Sequence, residues 1–318
     1  YRSSYLSYPL IAQESINGRI FCFTTGFIEV VENEGKAGFT FLPDENLVFG
    51  YGLLNAASLA KGTGGNPNEE LPEFLIFPSL NPDTGTLKVM MTNGNPPRVI
   101  STPSIEYRLT QLMNKIDGVG FIWSTNGQTF YQLSYTTDQV TFVYHLNSDK
   151  WFDAQYNAGR HFAETAFYFA GKILCTSYLD NGLYELSEQY LTNSDVPINI
   201  IRITENLRIT GYKKLTGHLL RFWFQQGVGL AGRTEINSPN YTPGSNPVVY
   251  ISISFDGGIT FPINFSKTLG TIGNRLYVTD VDNLGTERDW TLKIEYTQPC
   301  DFYLMGAQFT YTASEGTQ

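Results

Sequence analysis

The sequence predicts an all-β protein, a β-propeller followed by a C-terminal β-sandwich with one short helix, and three observations carry that prediction. Charged residues make up only 16% of the 318 residues while aromatics reach 14%, which is the usage of strands and tight turns rather than of helices. Short apolar or alternating runs recur with Asn, Asp, Gly or Ser between them, the pattern of antiparallel hairpins. After about Glu205 the runs lengthen, and this change marks a second domain. The expected division is 1–205 for propeller blades with inserted loops and 206–318 for the sandwich.

Near the start, Gly18–Thr24 and Phe27–Glu32 read as a hairpin that Phe39–Leu42 and Leu47–Tyr51 continue into a blade. Tyr1 already stands in an aromatic, strand-like segment, so the expectation is that an N-terminal part is missing. Ala60–Glu73, rich in Gly, Asn, Pro and Glu, and Asn93–Pro97 read as loops on the propeller rim. A helix follows. Thr102 can cap it, Pro103 suits its first position, and Ile105, Leu109, Leu112, Met113 and Ile116 share one face, which is expected to pack under a sheet.

From Gly118 to Phe152 the chain reads as an up-and-down meander. Val119, Phe121 and Trp123 mark a strand, Thr125-Asn126-Gly127 a turn, Phe130–Leu133 a second strand and Thr141–Leu146 a third. Another turn at Asn147-Ser148-Asp149 then leads to Trp151. Trp151 stands where kelch-type blades carry a closing aromatic, and such a unit recurring every roughly 40–50 residues is the propeller signature. It recurs from Phe162 to Leu191, as Thr165–Phe169, Ile173–Ser177 and Leu183–Leu186 with turns at Ala170-Gly171 and Asp180-Asn181-Gly182. Beyond Glu205, Leu215–Phe224, Val248–Phe255, Trp290–Tyr296 and Tyr303–Tyr311 read as the longer strands of the sandwich, with one long polar loop at Gly227–Asn246.

Several kinds of chemistry find no support. A net charge of −9 with no basic run longer than Lys213-Lys214 argues against a protein that grips nucleic acid, since such proteins cluster Lys and Arg against phosphates. Cys22, Cys175 and Cys300 stand singly in apolar stretches, which predicts buried free thiols rather than a disulfide framework or a zinc site. His145, His161 and His218 have no second ligand at metal spacing. No apolar run reaches the roughly 18 residues of a membrane span, and no nucleophile elbow, P-loop or dinucleotide fingerprint is present. No catalytic, cofactor-binding or metal residue is therefore assigned.

One motif has a definite local meaning. Ser254, Asp256, Gly258 and Thr260 match an Asp box, S-x-D-x-G-x-T, in which the Asp and Ser side chains bond the backbone of a hairpin turn. The pattern resembles that of sialidases, but it occurs once and the Arg-Ile-Pro start of those enzymes is missing. The reading is structural.

The stretch Pro97-Arg98-Val99-Ile100-Ser101-Thr102-Pro103-Ser104-Ile105-Glu106-Tyr107 is followed by Asp117-Gly118-Val119-Gly120-Phe121, Gly127-Gln128-Thr129-Phe130-Tyr131-Gln132-Leu133 and Trp151. Later come Asn181-Gly182-Leu183-Tyr184-Glu185-Leu186, Pro197-Ile198, Ile200-Ile201-Arg202 and Phe255-Asp256-Gly257-Gly258-Ile259-Thr260-Phe261. Leu269-Gly270-Thr271-Ile272-Gly273, Leu284-Gly285 and Arg288-Asp289 complete the series. In this order the segments resemble the packaged-DNA-stabilisation, or tail nozzle, proteins of short-tailed bacteriophages. That resemblance implies a non-enzymatic hub subunit of the virion tail, assembled in the host cytoplasm as a homohexameric ring below a portal-adaptor ring. It also implies contact with a tail needle, fibres or spikes, and double-stranded DNA passing through the channel without sequence-specific binding. No cofactor is implied. Two other classes fit the residues, a glycan-binding or glycan-hydrolysing β-propeller, suggested by the aromatic richness and the Asp box, and a tail receptor-binding module.

Overall fold

The computed structural model of the protein describes residues 8–33, 35, 41–63, 73–81, 84–194, 196–208, 213–231, 242–275 and 279–314. The chain is all-β with one α-helix among the described residues. It divides into two compact units, 1–187 and 188–318.

The first unit opens with β1 (Leu10–Ile16), β2 (Arg19–Thr24), β3 (Ile28–Asn33) and β4 (Phe41–Phe49), an antiparallel meander hydrogen-bonded in that order. Asn17 and Gly18 both take positive φ, 51° and 78°, the two-residue turn whose twist matches flanking strands. Phe21, Phe23, Ile28 and Val30 are buried and form the core of this sheet. The two short strands expected at 39–42 and 47–51 are one strand, β4. Pro43 is tolerated there because β4 is an edge, and the pairing shifts register between Glu29 and Val31.

A second meander follows, β5 (Ala60–Thr63), β6 (Glu73–Leu80), β7 (Leu87–Thr92) and β8 (Arg98–Val99). The ends of the expected loop at Ala60–Glu73 are therefore strand, and its middle, 64–72, lies outside the described residues. β6 is apolar through Phe74–Phe77, and it draws β5 into register so that Ala60 and Phe74 join one core. Asn93–Pro97 does connect strands, β7 to β8.

The helix α1 (Pro103–Thr110) starts at Thr102, whose hydroxyl accepts from the Ile105 backbone N–H at 3.4 Å. It is shorter than the apolar stripe suggested. Ile105 and Leu109 are buried, but Met113 and Ile116 lie beyond the helix and are 79% and 62% exposed. The Asp138 carboxylate accepts from the backbone N–H groups of Met113 at 3.0 Å and Asn114 at 3.2 Å, satisfying donors that a further turn of helix would have used.

The clearest meander in the sequence is β9 (Gly118–Thr125), β10 (Gln128–Tyr135), β11 (Val140–His145) and β12 (Lys150–Asp153), with Asn126 and Gly127 at positive φ in the first turn. Tyr131, Leu133, Tyr135, Phe142 and Tyr144 face the same core as Ile105 and Leu109. On the other face Trp123, Phe130 and His145 stack across three strands at 4.3 and 4.6 Å between ring centres. A two-residue ladder of β13 (Gln155–Tyr156) and β14 (Gly159–Arg160) precedes the last sheet, β15 (Ala163–Phe169), β16 (Lys172–Ser177) and β17 (Leu183–Leu186).

In the second unit β18 (Thr192–Asn193) and β19 (Val196–Pro197) form a short ladder. The strands β20 (Ile200–Ile203), β21 (Lys214–Phe224), β22 (Val248–Ser254), β23 (Ile263–Thr268), β24 (Thr279–Glu287), β25 (Thr291–Tyr296) and β26 (Leu304–Ser314) make two sheets, ordered β20-β25-β22-β23 and β24-β21-β26. Both contribute to one apolar cluster that includes Leu220, Phe222, Val249, Ile251, Trp290 and Tyr296. Residues 232–241 of the expected loop Gly227–Asn246 lie outside the described residues.

The expected kelch-like propeller with an appended sandwich is thus corrected. The strands form several separate sheets, and none is closed into a barrel or curled into a propeller. The recurring unit is also uneven: three sheets of four strands are followed by a two-stranded ladder and a sheet of three, so strand periodicity was real within each meander but did not extend to equal blades.

Two close contacts make testable demands. A Cβ on Gly120 would lie 2.8 Å from both the Ser58 carbonyl oxygen and the Tyr131 hydroxyl, which donates to that oxygen at 2.9 Å in the core. Gly120→Ala should therefore cost about 1–3 kcal/mol in urea unfolding, and an unchanged midpoint would show that β9 can withdraw freely.

The second contact concerns His161, which is buried, stacks on Phe162 at 4.6 Å and accepts the Ala163 N–H on Nδ1 at 3.2 Å. Burial lowers its pKa from 6.5 to about 4. The folded chain then binds fewer protons than the unfolded one between these values, so this contribution is whole above pH 6.5 and is lost as pH falls towards 4. It amounts to about 3 kcal/mol. Unfolding free energies of His161→Gln measured from pH 7.5 to 4 should fall less steeply than those of the unaltered protein, and parallel profiles would remove His161 from the acid response.

Candidate functional site

On the first unit a cleft of about 360 Å³ lies between α1 and β12. Its volume is within the range of small-ligand sites. One wall carries Thr102, Ser104, Ile105 and Arg108, and the other is the run Asp149-Lys150-Trp151-Phe152-Asp153. Ser104 and Arg108 reach the same wall because they are four apart on the helix. Five consecutive residues line the other because β12 is the edge of its sheet, so side chains of both its faces border the open side.

Two bonds hold these walls together. The Trp151 indole N–H donates to the Ile100 carbonyl at 2.9 Å, tying β12 to the segment that leads into α1. Arg108 bonds the Asp153 carboxylate at 2.9 and 3.2 Å while its guanidinium lies 4.6 Å above the Phe142 ring. Both members of the ion pair are about two-fifths exposed, so it contributes at most about 1 kcal/mol and serves mainly to orient the groups. Asp149 sits in a left-handed turn, φ 52°, and its carboxylate accepts a short hydrogen bond from the Tyr144 hydroxyl. Trp151 packs against Tyr144 at 5.0 Å, whereas Phe152 is 45% exposed.

The lining therefore combines two carboxylates, two cations and two aromatic rings, with its formal charges balanced. Such a surface offers an apolar platform and oriented hydrogen-bonding groups without a net field. Sequence reading had Thr102 as a cap, Asp149 as a turn residue and Trp151 as a closing aromatic. It did not single out Arg108, Lys150, Phe152 or Asp153. The signal was present in the density of Asp and aromatic residues over 149–153.

The Asp box lies in the second unit, in the turn between β22 and β23. Ser254 Oγ donates to Asp256 Oδ1 at 2.6 Å and accepts from the backbone N–H of Gly258 at 2.9 Å. Asp256 in turn accepts from the N–H groups of Ile259 and Thr260 at 3.0 and 2.9 Å and from the Thr260 hydroxyl at 2.5 Å. Gly257 and Gly258 supply positive φ, 78° and 92°. The hydrogen bond from Ser254, followed by those of Thr260, holds the Asp256 carboxyl far below the usual carboxylate range. These bonds are all spent inside the turn.

Among the described residues no group of three or more His, Cys, Asp or Glu side chains is placed to hold a metal ion. His145 Nδ1 pairs with the Ser148 hydroxyl at 2.8 Å and His218 Nε2 with the Thr312 hydroxyl at 2.6 Å. Cys22, Cys175 and Cys300 are buried and unpaired, and burial pushes the Cys175 thiol up to about 11.

No family model matches the chain, and no curated protein matches it. Solved structures that do match are carbohydrate-active enzymes. One is described as a glycoside hydrolase, at 9% identity, covering 94% of this chain and 83% of its own with a TM-score of 0.24. Another is a family 43 arabinoxylan arabinofuranohydrolase from Bacillus subtilis in complex with cellotetraose, at 11% identity, 95% and 78% coverage and a TM-score of 0.21. A third is a family 32 β-fructofuranosidase from Bombyx mori in complex with sucrose, at 9% identity, 95% and 79% coverage and a TM-score of 0.28.

The expected membership of the phage tail nozzle family is corrected accordingly, together with the non-enzymatic, virion-structural role drawn from it. The matching structures are glycoside hydrolases rather than tail proteins. With identities of 9–11% and TM-scores of 0.21–0.28, these likenesses carry no activity over to this chain.

The Asp box makes its own demand. Asp256→Ala leaves the N–H groups of Ile259 and Thr260 and the Thr260 hydroxyl without their acceptor, so the thermal midpoint should fall while Asp256→Asn retains part of it. A midpoint unchanged in both would show that the two glycines alone hold the turn.

Proposed function

We propose that the protein binds a neutral glycan in the cleft between α1 and β12. The observation that carries this reading is the placing of Trp151 and the exposed Phe152 on the edge strand β12, between Asp149 in the turn before it and Asp153 at its end. A sugar ring has an apolar C–H face and a rim of hydroxyls. The exposed Phe152 ring can meet that apolar face, and the carboxylates and cations of the lining can accept from and donate to hydroxyls. The balanced charges of the lining favour an uncharged ligand over an anionic one.

Hydrolysis is the reaction to assay beside binding, because glycosidases act through a pair of carboxyl groups. Four fully extended residues would span about 13 Å, and Asp149 lies in a left-handed turn before β12, so its Cα is at most that far from that of Asp153, against the roughly 5–10 Å between carboxyl groups that the two glycosidase mechanisms require. Binding is thus what the geometry supports best, and cleavage requires the two side chains to lean towards each other.

Titration calorimetry with neutral oligosaccharides, paired with a reducing-sugar assay, tests this directly. Phe152→Ala should weaken binding roughly tenfold, a change of about 1.4 kcal/mol, and any release of reducing ends should vanish in Asp149→Asn or Asp153→Asn. Binding that is indifferent to all three substitutions would remove the cleft from the function.

A further inference from the structure

The outer face of the sheet β24-β21-β26 has a different composition from its core face. Along β21, Leu220, Phe222 and Phe224 are buried, while Leu219, Arg221 and Trp223 alternate to the other side, about 7 Å apart from one to the next. Trp223 is 45% exposed. Its partner across β26 is Gly306, and a Cβ built there would touch the indole at 3.4 Å, so the ring lies against bare backbone. On the β26 side Gly306 itself contributes no side chain beside it.

The next row holds Asp280, Arg221 and Gln308, one from each strand of the sheet. Arg221 grips Asp280 with two parallel bonds, Nε to Oδ1 at 2.7 Å and Nη2 to Oδ2 at 2.6 Å, which flattens both groups against the sheet and cancels their charge. The row after that is Asp282, Leu219 and Thr310. The described part of this face thus sets one exposed indole beside a row of planar hydrogen-bonding groups, with Leu219 in the row beyond and Met305 exposed in the adjoining bulge.

We infer that this face of the second unit is a binding surface for a neutral polysaccharide chain, with Trp223 stacking on a sugar ring and the Arg221–Asp280 pair and Gln308 bonding the hydroxyls of its neighbours. The guanidinium and carboxylate cancel each other, and Asp282 in the next row adds a negative charge, so the face disfavours an anionic polymer. The exposed, one-sided platform suits an extended chain lying along the strand rather than a small molecule enclosed on several sides. This surface is independent of the α1–β12 cleft, since no residue is shared between them.

Affinity electrophoresis of the full chain, in gels containing hydroxyethylcellulose, β-glucan or galactomannan with polygalacturonate as the anionic control, tests the assignment. Phe152→Ala protein should still be retarded by at least one neutral polymer, and adding Trp223→Ala should abolish that retardation while Trp223→Phe keeps part of it. Since Trp223 lies outside the core, its variants should melt with the parent protein, which separates lost binding from lost fold. The inference is overturned by no retardation of the unaltered chain, by retardation unchanged by Trp223→Ala in the Phe152→Ala background, by retardation only by polygalacturonate, or by a Trp223→Ala effect confined to self-association in sedimentation. Loss of retardation in Phe152→Ala alone, with Trp223→Ala neutral, overturns this surface and leaves the cleft standing.

Discussion

An open strand edge has to be managed, and in this protein the management of one such edge shapes the candidate site. β12 ends its meander with unpaired backbone groups on one side. Rather than pairing onward, it is pinned at Trp151 to Ile100, and at Asp153 to Arg108 on α1. The helix is too short to cover the whole edge, because Asp138 takes the backbone donors beyond Gln111. What remains is the cleft.

The second unit solves the same problem of coverage differently. Its two sheets share a core through Phe222, Val249, Ile251 and Trp290, so each has one face spent on packing and one left over. On β24-β21-β26 the remaining face carries Leu219 and Trp223 among polar groups, and the Arg221–Asp280 ion pair lies between them. The packing of Trp290 against Phe255 and Phe309, at 4.9 and 5.2 Å, ties the end of β22 to β26 and keeps that sheet in place. Rigidity of the inner face is what lets the outer one present groups in fixed rows.

Local structure was legible in the sequence where a turn announced itself. Asn126-Gly127 places two residues at positive φ between alternating runs, and the strands beside it were read within a residue or two, whereas at Asn17-Gly18 the strand after the turn was read and β1 before it was not. The Asp box was legible for the same reason, since all its bonds fall within seven residues. β24 was not, because Thr279–Glu287 carries two Asp, an Asn and a Gly, and it becomes a strand only by lying against β21. The assembly of the sheets was not legible either. Periodicity describes one meander, and the step from three four-stranded sheets to a closed propeller was an extrapolation the chain does not follow. The family resemblance rested on short Gly- and aromatic-rich strings that any series of meanders produces. As for the cleft, its half on 149–153 was visible as a dense run, but Arg108 meets Asp153 across 45 residues of sequence, a contact set only by the fold.

The claim that a glycan occupies the α1–β12 cleft is tested most directly by the side-chain N–H signals of the chain's four tryptophans, followed by NMR during titration with a neutral oligosaccharide. Trp151 lines the cleft and its N–H is bonded to Ile100, so its signal should move with saturation, while those of Trp123 and the buried Trp290 stay in place. A titration in which Trp151 does not move would contradict the account, whatever the other three signals do.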